Sequence, residues 1–233
     1  MKSYAIASKL LIIFMIFITT LGTASVPAGD AAIDVGDYET AISEYTSAYE
    51  QNGSVEALYK LAKAKTYLAG TLEEDAAETL YEEAADHARA AIEAAPENAE
   101  THFELARAIG RLAQFKGILE SLNMADEVRS ELERTIELDS SHGGAYHALA
   151  LWHLEVPWIA GGRAGQVRPL FDQAIAAEPD AITHYVDYGE ALIRLDDKEA
   201  ARTQLDAALA MSASTLREEA DLDKARELLA SLD

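Results

Sequence analysis

Histidine is the residue type here with the widest chemical reach, and there are six: His87, His102, His142, His147, His153 and His184. An imidazole can ligate a metal or move a proton near neutral pH. A zinc-dependent site would need ligands at a motif spacing such as HExxH, and no such spacing occurs. These histidines read as helix-surface or interhelical packing groups. Paired carboxylates such as Asp196-Asp197 and Glu218-Glu219 could do general acid–base work. With 41 acidic residues against 19 basic ones, such pairs arise from composition and read as solvated helix faces. Gly161-Gly162-Arg163-Ala164-Gly165 suggests a phosphate loop but lacks the GK[ST] ending and a preceding strand. It reads as a turn between helices. The absence of cysteine excludes disulfides, thiolate sites, a cysteine nucleophile and a lipobox. No catalytic constellation, metal site or cofactor is expected. Trp152 reads as core. Trp158, between Pro157 and a Gly-rich turn, could cap a groove or form a contact surface, since aromatic anchors are enriched at interfaces.

The elements that position these residues are helices. Tyr146, Leu149, Ala150 and His153 run i, i+3, i+4, i+7, and so do Tyr185, Tyr188, Gly189 and Leu192. Val167, Phe171 and Ala174 follow the first quartet, and Ala201, Leu205 and Ala208 the second. A two-helix unit therefore occurs twice. Upstream, His102, Leu105, Ala106 and Ile109 pair with Val128, Leu132 and Thr135. Leu58, Leu61, Ala62 and Lys65 pair with Ala84, Ala88 and Ala91, in a unit longer between its helices. Ala41, Tyr45 and Ala48 look like a second helix whose first helix is missing or degenerate. From quartet to triplet the spacing is 26 positions from His102, 21 from Tyr146 and 16 from Tyr185. The earlier two units thus carry insertions, one holding Phe115 to Leu119 and one holding Val156 to Gly162. Residues 214–233 are amphipathic and suit a cap that covers the last repeat.

Residues 1–28 read as a secretory leader. Lys2 and Lys9 precede the apolar run LLIIFMIFITTL, and Ala24 or Ala28 offers a cleavage point. The alternative is an uncleaved anchor, but the apolar run is short for the ~20 residues that span a bilayer. The expectation is a bacterial periplasmic or secreted protein. Removing Lys2 and Lys9 takes the formal charge from −22 to −24. Such a surface repels nucleic acid and anionic membrane. Solubility or a salt-rich habitat would each account for it.

The quartets and triplets, with Ala174-Ile175-Ala176-Ala177-Glu178-Pro179 and Ala91-Ile92-Glu93-Ala94-Ala95-Pro96, resemble the tetratricopeptide repeat family from about Gly36 to Ala213. The resemblance implies an all-α, right-handed α-solenoid of about four helix pairs over residues 29–213, closed by the cap helix. The stretch Leu149-Ala150-Leu151-Trp152-His153 is similar to a repeat family of microtubule-dynamics regulators. The insertion-bearing units resemble, more loosely, exported repeat proteins linked to TRAP-type solute transporters. In tetratricopeptide proteins the first helices line a concave groove. The resemblance places Phe103, Arg107 and Arg111 there, then His147, Leu151 and Glu155, then Val186, Glu190 and Arg194. Arginine can grip a carboxylate through two parallel hydrogen bonds, or here pair with acids such as Glu104 or Glu190 and join repeats. The implied function is a non-enzymatic scaffold for a protein or peptide partner, held in the groove or through Trp158. The alternative is an accessory subunit of a transporter or exported enzyme that holds a small ligand.

Overall fold

The computed structural model describes residues 25–232. The expected leader lies outside the described residues up to Ala24. The described residues form eleven α-helices and no strand. In order these are α1 (Val26–Asp34), α2 (Tyr38–Asn52), α3 (Val55–Ala69), α4 (Glu74–Ala94), α5 (Ala99–Leu112), α6 (Ile118–Leu138), α7 (Gly143–Glu155), α8 (Ala164–Ala177), α9 (Ile182–Arg194), α10 (Lys198–Leu209) and α11 (Leu216–Ala230). Each helix packs on its neighbours in sequence, while α3 also packs on α5 and α9 on α11. The architecture is an all-α solenoid of stacked helix pairs.

Local chemistry sets the helix ends. Asp37, Ser54, Asn98, His142 and Asp197 each accept a backbone N–H from the first turn of the helix that follows. Thr215 and Glu218 form a reciprocal capping box at α11. Gly53 ends α2 in the left-handed conformation, with φ 67°. Most of the second-helix triplet residues lie deep in the core. Ala84, Ala88, Ala91, Val167, Phe171, Ala174, Ala201, Leu205 and Ala208 are all wholly inaccessible. The alanines among them let neighbouring helices approach closely, and Val167, Phe171 and Leu205 fill the space between, as dense interiors require.

Two expectations need correction. The helix before α2 is present: α1 packs on α2 and α3 and buries Ala32 beside Tyr45 and Leu61. Among the described residues the array is five helix pairs and a cap, not about four. It was hidden because α1 is only 9 residues long and overlaps the leader's cleavage region. The extra length expected between the helices of the second unit lies within α4, which runs 21 residues. The first insertion likewise ends by lengthening α6 to 21 residues. The second makes a short 3₁₀ turn, Trp158–Ala160, before Gly161 at φ 99°.

Candidate functional site

The first helices of the pairs, α3, α5, α7 and α9, carry the polar side chains that do not face the apolar core. The densest group surrounds Tyr67 of α3. Arg107 of α5 donates through Nη1 to the Tyr67 hydroxyl at 3.2 Å, and its guanidinium lies 4.7 Å from the Tyr67 ring centre. Lys63 approaches the same ring at 5.8 Å and Arg217 of α11 at 4.6 Å. Cations over an aromatic face are attracted by its quadrupole. Burial disfavours the Tyr67 phenolate, yet Arg107, Lys63 and Arg217 together outweigh it and pull the phenol below its ordinary value. Tyr59, one turn below Lys63, is pushed up to about 12 by burial and by Glu100 and Glu56. The local field is therefore cationic at Tyr67 and anionic a turn or two away.

Arg107 is tied to Glu104, which is 2% exposed. Their Nη2 and Oε2 atoms are 2.9 Å apart, but neither atom makes a well-aligned hydrogen bond, and Arg107 Nε also lacks one. Burial pushes the Glu104 carboxyl up, although Arg107 works against this. The pair thus holds buried hydrogen-bonding capacity that the chain leaves unused.

A second polar chain joins α7, α9 and α11. His147 Nδ1 and His184 Nδ1 are 2.8 Å apart, so one ring donates and the other accepts. The outer nitrogens face carboxylates, His147 Nε2 to Asp187 at 3.2 Å and His184 Nε2 to Glu178 at 3.2 Å. Lys224 of α11 then bridges Asp187 and Glu190, at 2.8 Å and 2.6 Å. Burial opposes the charge on Asp187, but His147 and Lys224 hold its carboxyl well below the usual carboxylate range. Among the described residues no group of three or more His, Cys, Asp or Glu could hold a metal ion.

Residues 28–159 match the family described as regulator of microtubule dynamics protein 1-3. The chain belongs to this family. Residues 160–215 match a tetratricopeptide repeat. Trp152 and its neighbours, the stretch that suggested microtubule-dynamics regulators, fall inside the first match. No curated protein matches the chain. A thermophilic TPR protein of Thermus thermophilus is similar in structure, with TM-score 0.71 and 18% identity over 87% of this chain and 97% of that one. MamA, from residue 41 to its end, of Desulfovibrio magneticus RS-1 is similar with TM-score 0.50 and 14% identity, over 78% of this chain and 90% of that one. At these identities the likeness is one of fold.

The nine residues expected in the groove stand in different surroundings, two of them paired and two side by side. Arg107 joins α5 to α3 and pairs within its own helix with Glu104. Phe103 packs on His142 of the next unit, with ring centres 4.4 Å apart. Arg111 is exposed and makes no ion pair among the described residues. Glu155 and Arg194 pair with each other across α7 and α9. Glu190 pairs with Lys224, and Leu151 packs against the main core. Two of the nine offer a ligand almost no surface. Val186 is fully buried because α11 packs with α9 and α10 over it, and His147 is buried in the histidine chain. Trp152 is core, as expected, and donates through Nε1 to the Ala125 carbonyl at 2.8 Å. Trp158 is 85% exposed. Sequence reading missed Tyr59, Lys63 and Tyr67. They stand one, five and nine places after Leu58, so the rule applied to the later units would have found them in α3. Arg217 had no such signal, because its contact with Tyr67 spans three intervening helix pairs.

Proposed function

We propose that the chain is an exported, non-enzymatic scaffold that binds a protein or peptide through an acidic side chain or C-terminal carboxylate at the Tyr67 cluster. Solenoids of this kind present extended surfaces to partners, and the tetratricopeptide match supports that general role. One observation carries the finer reading. In a chain of net charge −22, Lys63, Arg107 and Arg217 converge on one tyrosine. Lys63 and Arg217 make no ion pair among the described residues, and Arg107 keeps buried donors without acceptors. A carboxylate would instead pair with Lys63 and Arg217 through charge-assisted bonds, the strong class of hydrogen bond. The leader sequence supports export.

The test is native co-purification followed by binding measurements on the captured partner. Lys63→Ser and Arg217→Ser should together weaken binding by more than about tenfold, from the loss of charge-assisted contacts. Thermal unfolding should move little, since neither cation makes an ion pair among the described residues. Arg107 is unsuited to this test, because its removal strands Glu104. Unchanged affinity in the double variant would sink the reading.

A further inference from the structure

The two insertions, far apart in sequence, build one apolar surface. Nine large apolar side chains are exposed among the described residues, and five come from this place: Ile118, Leu119, Leu122, Trp158 and Ile159. The first three share a face of α6, with Asp126 one turn further on. Leu122 and Asp126 meet Ile159 and Ala160 across an open cleft. Trp158 stands beside that cleft. The support beneath is firm. Trp152 is hydrogen-bonded to the α6 backbone at Ala125. The chain also closes the second insertion at Gly162, where an added Cβ would lie 1.7 Å from the Val156 carbonyl oxygen.

A contiguous exposed apolar patch marks an interaction site, and two features of this one specify the occupant. An apolar projection and an open cleft lie side by side. A two-fold axis through such a patch seats each projection in the other copy's cleft and closes the assembly. The charges are also self-complementary. Glu120 and Asp126 on α6 make no ion pair among the described residues, and neither does Arg163, just past the second insertion at the start of α8. A patch of one sign would repel its own copy, whereas this one carries both. We propose that the insertion surface is the interface of a two-fold homodimer, with Trp158 of each copy in the cleft between α6 and Ile159 of the other. Arg163 of each copy then faces the α6 acids of the other. The chain is strongly acidic overall, so the copies meet through an apolar region where mutual repulsion is least. At physiological salt that repulsion is screened beyond ~8 Å.

Sedimentation equilibrium of the full chain, expressed with its leader and taken from the soluble fraction, tests the interface. A dimer should form at micromolar to ~100 µM protein, the range in which a modest interface associates. Trp158→Ser should weaken it by more than about tenfold, while Leu72→Ser, exposed elsewhere, should not. Asp126→Arg should weaken it too, and adding Arg163→Asp to that variant should restore it. Far-UV circular dichroism should be unchanged throughout, because Trp158 is 85% exposed. A monomer at every concentration would overturn the proposal. So would a dimer indifferent to Trp158→Ser, or an Asp126→Arg defect that Arg163→Asp leaves in place. None of these variants touches Lys63 or Arg217, so this interface and the Tyr67 cluster stand or fall separately.

Discussion

At the scale of single residues, the polar side chains of the inner helices serve first as ties between repeats. Asp187 is the clearest case. It accepts from His147 of α7 and from Lys224 of α11, so one carboxylate links three helices. Its folded-state pKa is depressed below the ordinary 3.8. A depressed carboxylate contributes stability that is present above its unfolded value and lost as pH falls through the folded one. Asp187→Asn should therefore lower the unfolding temperature near neutral pH. The gap from the wild type should close as pH falls below about 4, the unfolded range of an aspartate. Other carboxylates titrate alike in both proteins and drop out of the comparison. Thermal scans from about pH 7 to pH 2 read this directly, and a gap constant across that range would show that Asp187 does not act through its charge. His142 makes a different use of an imidazole. Its Nδ1 accepts from the Ala145 N–H at 3.1 Å and caps α7, while burial opposes charge on the ring and Glu100, 3.5 Å from Nε2, more than offsets it and raises its pKa.

At the scale of helices, close approach within a pair depends on small residues at fixed positions. Gly189 of α9 faces Leu205 of α10, where a Cβ would come within 2.6 Å of the leucine side chain. Gly189→Ala should cost about 1–3 kcal/mol by overpacking. Adding Leu205→Val should recover part of that loss, because the two changes share one volume. Denaturant unfolding of the single and double variants checks this, and strictly additive losses would mean the helices part to admit the methyl group. This level of structure was the most legible in the sequence. Gly189 stands in its quartet and Leu205 in its triplet, and both are buried as that periodicity requires. Periodicity fixes which side of a helix faces its partner, and so it yielded the pairs from α3 onward. It could not give α1, whose apolar residues are too few to set a period. Nor could it show that Val186 is covered, because α11 covers it and cap helices carry no repeat signature. The Tyr67 cluster was half legible, since Lys63 and Tyr67 obey the repeat rule while Arg217 arrives from the far end of the array.

At the scale of the whole molecule, the array curls until its last helix meets its first units. Leu216 at the start of α11 lies beside Gly36 in the turn between α1 and α2, 3.5 Å from where a Cβ would sit, and Arg217 covers Tyr67. The N-terminal unit is therefore part of the closed structure, and this bears on where a leader would be removed. Sequence alone left cleavage after Ala24 or after Ala28 open. Ser25 caps α1 by accepting the Ala28 N–H at 3.3 Å, and its own N–H donates to Glu44 at 3.1 Å. Further along α1, Gly29 lies against the Tyr45 ring, and Asp30 accepts from Tyr45 and Lys60, each at 2.7 Å. Cleavage after Ala28 would remove the cap and the first turn, and leave Gly29 and Asp30 on a frayed end. Cleavage after Ala24 keeps all of α1 and places the new ammonium beside the Glu44 carboxylate, where opposite charges attract. The mature protein is expected to begin at Ser25. Intact-mass measurement on protein from the soluble and membrane fractions checks it. A chain beginning at Gly29 would show that α1 is dispensable to the array, and a chain retaining Met1 would show that residues 1–24 stay attached as an anchor.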